Sequence, residues 1–377
     1  MAGGVNRKIS AASARAHTRK AKQNTSFQLP SGLLKKGLAL LFVGIVAWAY
    51  QAIQPPAPKI CGSPGGPPVT APRIKLRDGR HLAYKEQGVL KDSAKHKIVY
   101  VHGFDSCRHD TIVPYLSPEL VEELGAYIVS FDRPGYGESD PNPKRSMKSM
   151  ALDIEELADQ LGLGSKFYVV GMSMGGQVVW SCLKYIPNRL EGAALIAPVI
   201  NFWWTGFPAN ISNEAFNQQF WNDRWALGIA HHAPWLTYWW NTQKWFPYSN
   251  VIGDISVVLS PQDKEIEKLP KKLDRSTYAA QVRQQGEYES LHRDMNVAFG
   301  KWEFSPVEVE NPFPNNDGSV HLWQGDEDML VPASLQRHIA HKLPWIQYHE
   351  LPGAGHSFPQ AEGISDTIIR ELLIGKK

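Results

Sequence analysis

Cysteine is scarce in this chain of 377 residues. Only Cys61, Cys107 and Cys182 are present, with no CxxC pair and no Cys/His spacing suited to tetrahedral zinc. That excludes a thiolate metal site and a disulfide framework, and no metal or cofactor is expected. Acidic residues are absent from the first 77 positions, whereas residues 1–36 hold eight of the chain's 40 Lys/Arg. The remaining 32 basic residues face 37 acidic ones, so the rest of the chain sits near −5. A catalytic body that grips nucleic acid through a basic surface is thereby excluded. Internal repeats are also lacking. What is plentiful is apolar surface: 43% of the residues are hydrophobic, enough for a sizeable core and an appendage.

After the basic tail 1–36 comes GLALLFVGIVAWAYQAI, residues 37–53, with no charge and one polar residue, Gln51, before Pro55-Pro56. Its 17 residues meet the lower limit of about 17 for a membrane helix, and no polar face runs from Leu38 to Trp48, as a buried core helix would show. The segment is expected to be a single-pass signal-anchor. By the positive-inside rule the tail stays cytoplasmic and the body is lumenal, in the secretory pathway or endoplasmic reticulum. A chloroplast or mitochondrial transit peptide competes, because the first 77 residues lack acids and include Arg, Ser and Thr. Residues 54–72 are rich in Pro and Gly and read as a linker. Asn210-Ile211-Ser212 and Asn24-Thr25-Ser26 fit the glycosylation pattern, the latter on the cytoplasmic side in this topology.

From Arg73 onward, β-rich apolar runs alternate with helical patterns, the signature of a mostly parallel sheet with helices on both faces. The runs lie at 98–103, 126–132, 167–173, 192–199, 320–328 and 346–352, preceded by a hairpin around Arg77-Asp78-Gly79. Helices are expected near 112–124, 146–161, 174–186, 333–342 and 361–374. About 120 residues separate the fourth and fifth of these runs, far beyond the usual connection of about 2–6 residues. A helical cap is therefore inserted over 201–305, between core segments 73–200 and 306–377. Eight of the 13 Trp fall within 201–250; they either dock the cap on the core or line an apolar pocket.

Gly171-Met172-Ser173-Met174-Gly175-Gly176 directly follows a strand pattern and opens a helical one, the context of a nucleophile elbow. Small residues at Gly171 and Gly175 let the backbone turn tightly while the Ser173 hydroxyl projects. A serine hydroxyl needs a base whose pKa lies near the working pH. Of 13 histidines, His356, in Gly353-Ala354-Gly355-His356 after the last strand, stands where the order Ser, Asp, His requires it. Three acids, Asp326, Glu327 and Asp328, end the preceding strand and could orient the imidazole. Oxyanion donors are expected from the N–H of Met174 and, after His102-Gly103, of Phe104. His102 is read as a structural loop residue, and Cys107 as a bystander.

HGF at 102–104, FDRPGYGESD at 131–140, GMSMGG at 171–176, GDEDMLVP at 325–332 and GAGH at 353–356, in this order, resemble the α/β-hydrolase superfamily over nearly all of 73–377. HLAYKE, FGKWEF, NPFP and HLWQGDED also resemble a plant-type subgroup with an N-terminal membrane segment. The resemblance implies an α/β-hydrolase fold with an eight-stranded sheet. It also implies a catalytic triad of Ser173, Asp328 and His356, with Phe104 and Met174 as oxyanion donors. Arg133 and Ser139 are expected to bond within their own loop. The implied activity is that of a serine hydrolase acting on a small-molecule ester through an acyl-enzyme; the substrate does not carry over from the resemblance, and the Trp-rich cap suggests a lipophilic or aromatic acyl ester. The same triad can run acyl transfer, and the fold also serves as a small-molecule receptor or chaperone with little turnover. A Ser at the elbow disfavours epoxide hydrolysis and dehalogenation.

Overall fold

The computed structural model describes residues 31–253 and 258–375, together with Met1 and Gly3. Most of the basic tail 1–36, the Asn24 acceptor and residues 254–257 of the cap lie outside the described residues. The chain separates into two bodies, Met1–Ala52 and Ile53–Lys377.

The first body contains helix α1, Ser31–Ile53. It starts six residues before the apolar run marked in the sequence, and at about 1.5 Å per residue its 23 residues measure roughly 34 Å. Residues Gly32–Ile53 are long and apolar enough to cross a membrane, and none of the side chains in that stretch is buried.

In the second body eight strands form one sheet: β1 (Arg73–Lys75), β2 (His81–Gly88), β3 (His96–Val101), β4 (Ala126–Phe131), β5 (Phe167–Met172), β6 (Leu190–Ile196), β7 (Val320–Gly325) and β8 (Ile346–Leu351). Their order is β1-β2-β4-β3-β5-β6-β7-β8. The β1–β2 and β2–β4 pairs are antiparallel and all others parallel. The central strands read as unbroken apolar runs because helices cover both faces. Along β3, Val99 and Val101 join one core cluster while Ile98 and Tyr100 join the other, as the two-residue period of a strand requires.

Helix α2 (Pro118–Leu124) gives Leu120 and Leu124 to the second cluster and stops at Gly125, whose φ of 57° suits glycine. On the opposite face lie α3 (Met147–Gln160) and α4 (Met174–Tyr185). Ser146 and Ser149 cap α3 reciprocally, and Met147, Met150, Ala151, Ile154, Leu157 and Ala158 repeat at helical spacing on its buried face.

Between β6 and β7 the described residues form helices and short turns: α5 (Ala209–Gln218), α6 (Trp221–His232), α7 (Thr237–Thr242), α8 (Asn250–Gly253), α9 (Pro261–Lys268), α10 (Ala279–Val282) and α11 (Arg293–Phe299). Ala215, Ala226, Leu227, Ala230, Met295 and Phe299 from this inserted segment share the first cluster with the sheet. Two further helices, α12 (Ala333–Lys342) and α13 (Ile364–Ile374), complete the fold. The Pro/Gly stretch 54–72 is bonded to the body. Lys59 N–H donates to Gln285 O at 2.9 Å, and Thr70 N–H donates to Glu138 Oε2 at 2.7 Å.

Ile154 is wholly buried and Leu152, on the same helix, is exposed. Ile154→Ala is expected to cost about 2–5 kcal/mol. In urea unfolding of the full chain in detergent this lowers the midpoint at unchanged slope, while Leu152→Ala changes stability by less than about 0.5 kcal/mol.

Candidate active site

Ser173 links the end of β5 to the start of α4 with φ 55° and ψ −121°, a left-handed-side conformation that a non-glycine residue adopts only under constraint. The constraint is visible in its neighbours. A Cβ on Gly171 would fall 2.4 Å from Gly175 O, and one on Gly175 would fall 2.1 Å from Val101 O. Ser173 N–H donates to Ile196 O at 2.8 Å, and Ser173 O accepts from Gly176 and Val199. The elbow is thus fastened to β6 on one side and to its own helix on the other.

His356 is buried in the loop after β8. Its Nδ1 is 2.7 Å from Asp328 Oδ2, so Nδ1–H donates to the carboxylate and Nε2 is left as an acceptor. Asp328 is itself fixed: Oδ1 accepts from the Leu330 and Val331 amides at 2.8 and 2.9 Å, and Oδ2 from Gln324 at 3.2 Å. Asp326 instead accepts from the Gly353 amide at 2.7 Å, a turn contact. Burial works against the imidazolium, but the Asp328 charge and hydrogen bond, with the Asp263 charge, outweigh it and raise the His356 pKa above its ordinary value.

Ser173 and His356 line one cavity of about 250 Å³ that also contains Asp110, Thr111 and Arg275. A second cavity of about 90 Å³ also reaches Ser173, with Leu227, Met295, Phe299, Ile200 and Val199 in its wall. Phe104 borders both cavities and Met174 the second. A Cβ on Gly103 would sit 3.2 Å from Ser173 Cβ, so only glycine lets that loop lie against the elbow without displacing it. Among the described residues the Phe104 and Met174 amides donate to no other group.

The sequence model described as the alpha/beta hydrolase family matches residues 98–365. The chain belongs to the α/β hydrolase family. Similarity to individual proteins is more distant. The chain is 23% identical over 274 residues to the probable lysophospholipase BODYGUARD 5 of Arabidopsis thaliana, covering 69% of this chain and 57% of that protein. It is 21% identical over 297 residues to the probable lysophospholipase BODYGUARD 4 of the same plant, covering 75% of this chain and 66% of that protein. The chain therefore spans 57–66% of the length of these two curated relatives. Among solved structures, an esterase from Exiguobacterium antarcticum superposes with a TM-score of 0.52 at 16% identity, covering 80% of this chain and 99% of the esterase. That likeness shows a shared α/β-hydrolase fold.

Other residues singled out in the sequence have different surroundings. His102 is buried, with Nδ1–H donating to Gly103 O at 2.8 Å and Nε2 accepting from the Arg133 amide at 3.0 Å. Burial first, and the Arg133 charge second, push its pKa well below the usual value. Cys107 is buried too, and its thiol is pushed up by burial. His231 bonds Phe299 O and stacks on Trp203. None of the eight Trp of 201–250 lines either cavity at Ser173. Trp221, Trp225, Trp235 and Trp245 are exposed, while Trp204 is buried in the core.

Arg133 and Ser139 bond within their own loop through the backbone, Arg133 O accepting from the Tyr136 amide at 2.9 Å and Ser139 O from the Gly135 amide at 3.2 Å, and their side chains also reach beyond it. Ser139 Oγ accepts from the Ala83 amide at 2.9 Å. The Arg133 guanidinium donates to both oxygens of Asp294 on α11 at 2.6 Å and to Gly103 O at 2.8 Å. Loop composition correctly marks both as bonding residues, but these side-chain partners are 56 and 161 positions away and leave no local trace.

Burial works to raise the Asp294 carboxyl, but the Arg133 and Arg145 charges and the bonds from Arg133 and Tyr136 outweigh it and lower its pKa. Asp294→Ala strands the Arg133 charge in the interior and is expected to cost about 3–5 kcal/mol in urea unfolding. The native pKa lies below the unfolded one. The contribution is therefore present above about pH 4 and lost as pH falls toward the native value.

Proposed function

We propose that this protein is a membrane-tethered serine hydrolase that cleaves carboxylic esters through an acyl-enzyme on Ser173. The observation that carries the reading is the strained elbow at Ser173 sharing a cavity with His356, whose Nδ1–H is engaged by Asp328. In the proposed reaction Ser173 Oγ attacks the ester carbonyl while its proton passes to His356 Nε2. The Phe104 and Met174 amides, aided by the positive end of α4, stabilise the oxyanion. Collapse expels the alcohol, which takes the proton from His356. A water then gives a proton to Nε2, attacks the acyl carbon and releases the acid, returning the proton to Ser173.

The two cavities give the substrate a direction. The apolar one, walled by Leu227, Met295 and Phe299, suits the acyl chain. The other, with Asp110, Thr111 and Arg275, suits a polar alcohol. The names of the two relatives, probable lysophospholipases, and of the esterase agree with cleavage of an ester. Helix α1 serves as the membrane anchor, with the basic tail on the cytoplasmic side and the catalytic body lumenal. Asn210 is exposed at the start of α5, open to the glycosylation that such a location permits.

Labelling of the full chain by a fluorophosphonate probe in detergent is expected for the wild type and absent for Ser173→Ala. Labelling that survives the substitution, or a folded wild type that takes no label, overturns the assignment. Hydrolysis of p-nitrophenyl butyrate is expected to fall as pH drops through the raised pKa of His356, because the protonated imidazole is no base. Asp328→Asn removes the charge that raises that pKa, so the acidic limb moves to lower pH and kcat falls by roughly 10³–10⁴. An unmoved limb would show that another carboxylate pairs with the base.

A further inference from the structure

The loop that carries His356 is held from outside the core. Helix α9 of the inserted segment points its first turn at that loop. Gln262 Oε1 accepts from the Gly355 amide at 2.6 Å. Asp263, wholly buried, accepts from the His356 amide through Oδ2 at 3.0 Å and from the Ser357 amide through Oδ1 at 2.7 Å. Three successive backbone N–H groups, 355 to 357, thus end on two adjacent side chains. The fit is tight: a Cβ on Gly355 would lie 2.1 Å from Ser260 Oγ and 2.3 Å from Asp263 Oδ2. Only glycine lets the loop and α9 approach this closely.

Capping does not exhaust the role of Asp263. It does close a capping box with Ser260, whose amide donates to Oδ2 at 3.2 Å and whose Oγ accepts from the Asp263 amide at 3.1 Å. A cap alone needs neither complete burial nor two further amides from a loop 93 positions away in sequence. A buried carboxylate is stable only when its lone pairs are filled by donors, and here most of the donors belong to the His356 loop.

We propose that Asp263, assisted by Gln262, is a positioning residue for His356, through which the inserted segment fixes where the imidazole sits and what charge surrounds it. The inference rests on the serine-hydrolase reading above. Two carboxylates bear on the imidazole from different elements, Asp328 after β7 and Asp263 on α9; Asp110 and Arg275 line the cavity it shares with Ser173. Asp328 touches the ring itself, whereas Asp263 acts through the backbone of the loop and through its field.

The test is the pH profile of p-nitrophenyl butyrate hydrolysis by the full chain in detergent. Asp263→Asn keeps the shape and removes the charge. Its acidic limb in kcat/KM is expected about one pH unit below that of the wild type. Its kcat should fall about tenfold or more through misplacement of the base, with KM changed less than about twofold. Gln262→Ala removes one amide contact and no charge, so kcat falls while the limb stays in place. Ser260→Ala removes the cap bond and leaves the carboxylate, and its limb also stays in place. The inference is overturned if Asp263→Asn keeps the wild-type limb, or if Ser260→Ala moves it equally. Should Asp263→Asn fail to fold, a wild-type kcat in Gln262→Ala overturns it. An inactive, unlabelled wild type overturns the underlying hydrolase reading, whereas an active wild type with all three variants matching it overturns this inference alone.

Discussion

A guanidinium cannot be left unpaired in a protein interior, and in this fold that constraint fastens three parts of the chain to one another. Arg133 follows β4, is almost wholly buried, and finds its counter-charge in Asp294 on α11 of the inserted segment. A further Nη2–H reaches Gly103 O in the loop after β3, while its Nε–H is buried with no hydrogen-bond partner among the described residues. Tyr136 adds a hydroxyl bond to Asp294 at 2.9 Å, and Arg145 approaches the same carboxylate at 3.7 Å. The loop that offers the Phe104 amide is thus tied to the inserted segment by charge-assisted bonds that have geometry as well as strength. Two more such bonds act on the same loop. Arg283 on the segment engages both oxygens of Asp105 at 2.7 and 2.9 Å, and Asp105 is held at a φ of 49°. The segment therefore belongs to the framework of the site as much as to its cover.

The same network separates the two histidines that stand near Ser173. Both are buried, and burial alone would depress both. His102 receives the Arg133 amide on Nε2 and feels the Arg133 charge, so its proton affinity falls further and both ring nitrogens are occupied by backbone partners. His356 has carboxylates around it and its proton affinity rises. Chemically identical side chains are thus driven apart by the sign of the neighbouring charge. In the proposed reaction it is His356, which lines the cavity with Ser173, that accepts the proton.

Much of this was legible in the sequence, for a physical reason. Strands buried on both faces must be largely apolar, which is why β4, β5 and β6 stand out as short dense runs, whereas the edge strand β8 is half-buried and admits Gln347, His349 and Glu350; the run boundaries coincide with the strands or differ by up to three residues. The elbow is legible because its steric demand is local: Gly171 and Gly175 are required by clashes with atoms one turn or one strand away. Asp328 and His356 lie near strand ends, and their separation of 28 positions leaves the order Ser, Asp, His intact along the chain. The helix 31–53 extends six residues beyond the run marked from composition, because Leu33, Leu34, Lys35 and Lys36 are good helix formers even though two of them are charged.

The inserted segment is where local reading stops. Its helices are short, from 4 to 12 residues, too short for the helical period to declare a buried face. Its Trp content invites the idea of an aromatic pocket, yet the aromatic side chains at the cavities are Phe104, Phe202, Phe299, Tyr100 and Tyr115. The small residues Ala226 and Ala230 on α6 are what let that helix settle against the core, while Trp221 and Trp225 on the same helix stay exposed. Asp263 illustrates the limit most sharply. In sequence, Ser260-Pro261-Gln262-Asp263 announces only the start of a helix. That the capping carboxylate also receives two amides of the His356 loop depends on a contact 93 and 94 positions away. A side chain can satisfy a local rule and a distant one with the same oxygens, and only the local rule is written in its neighbours.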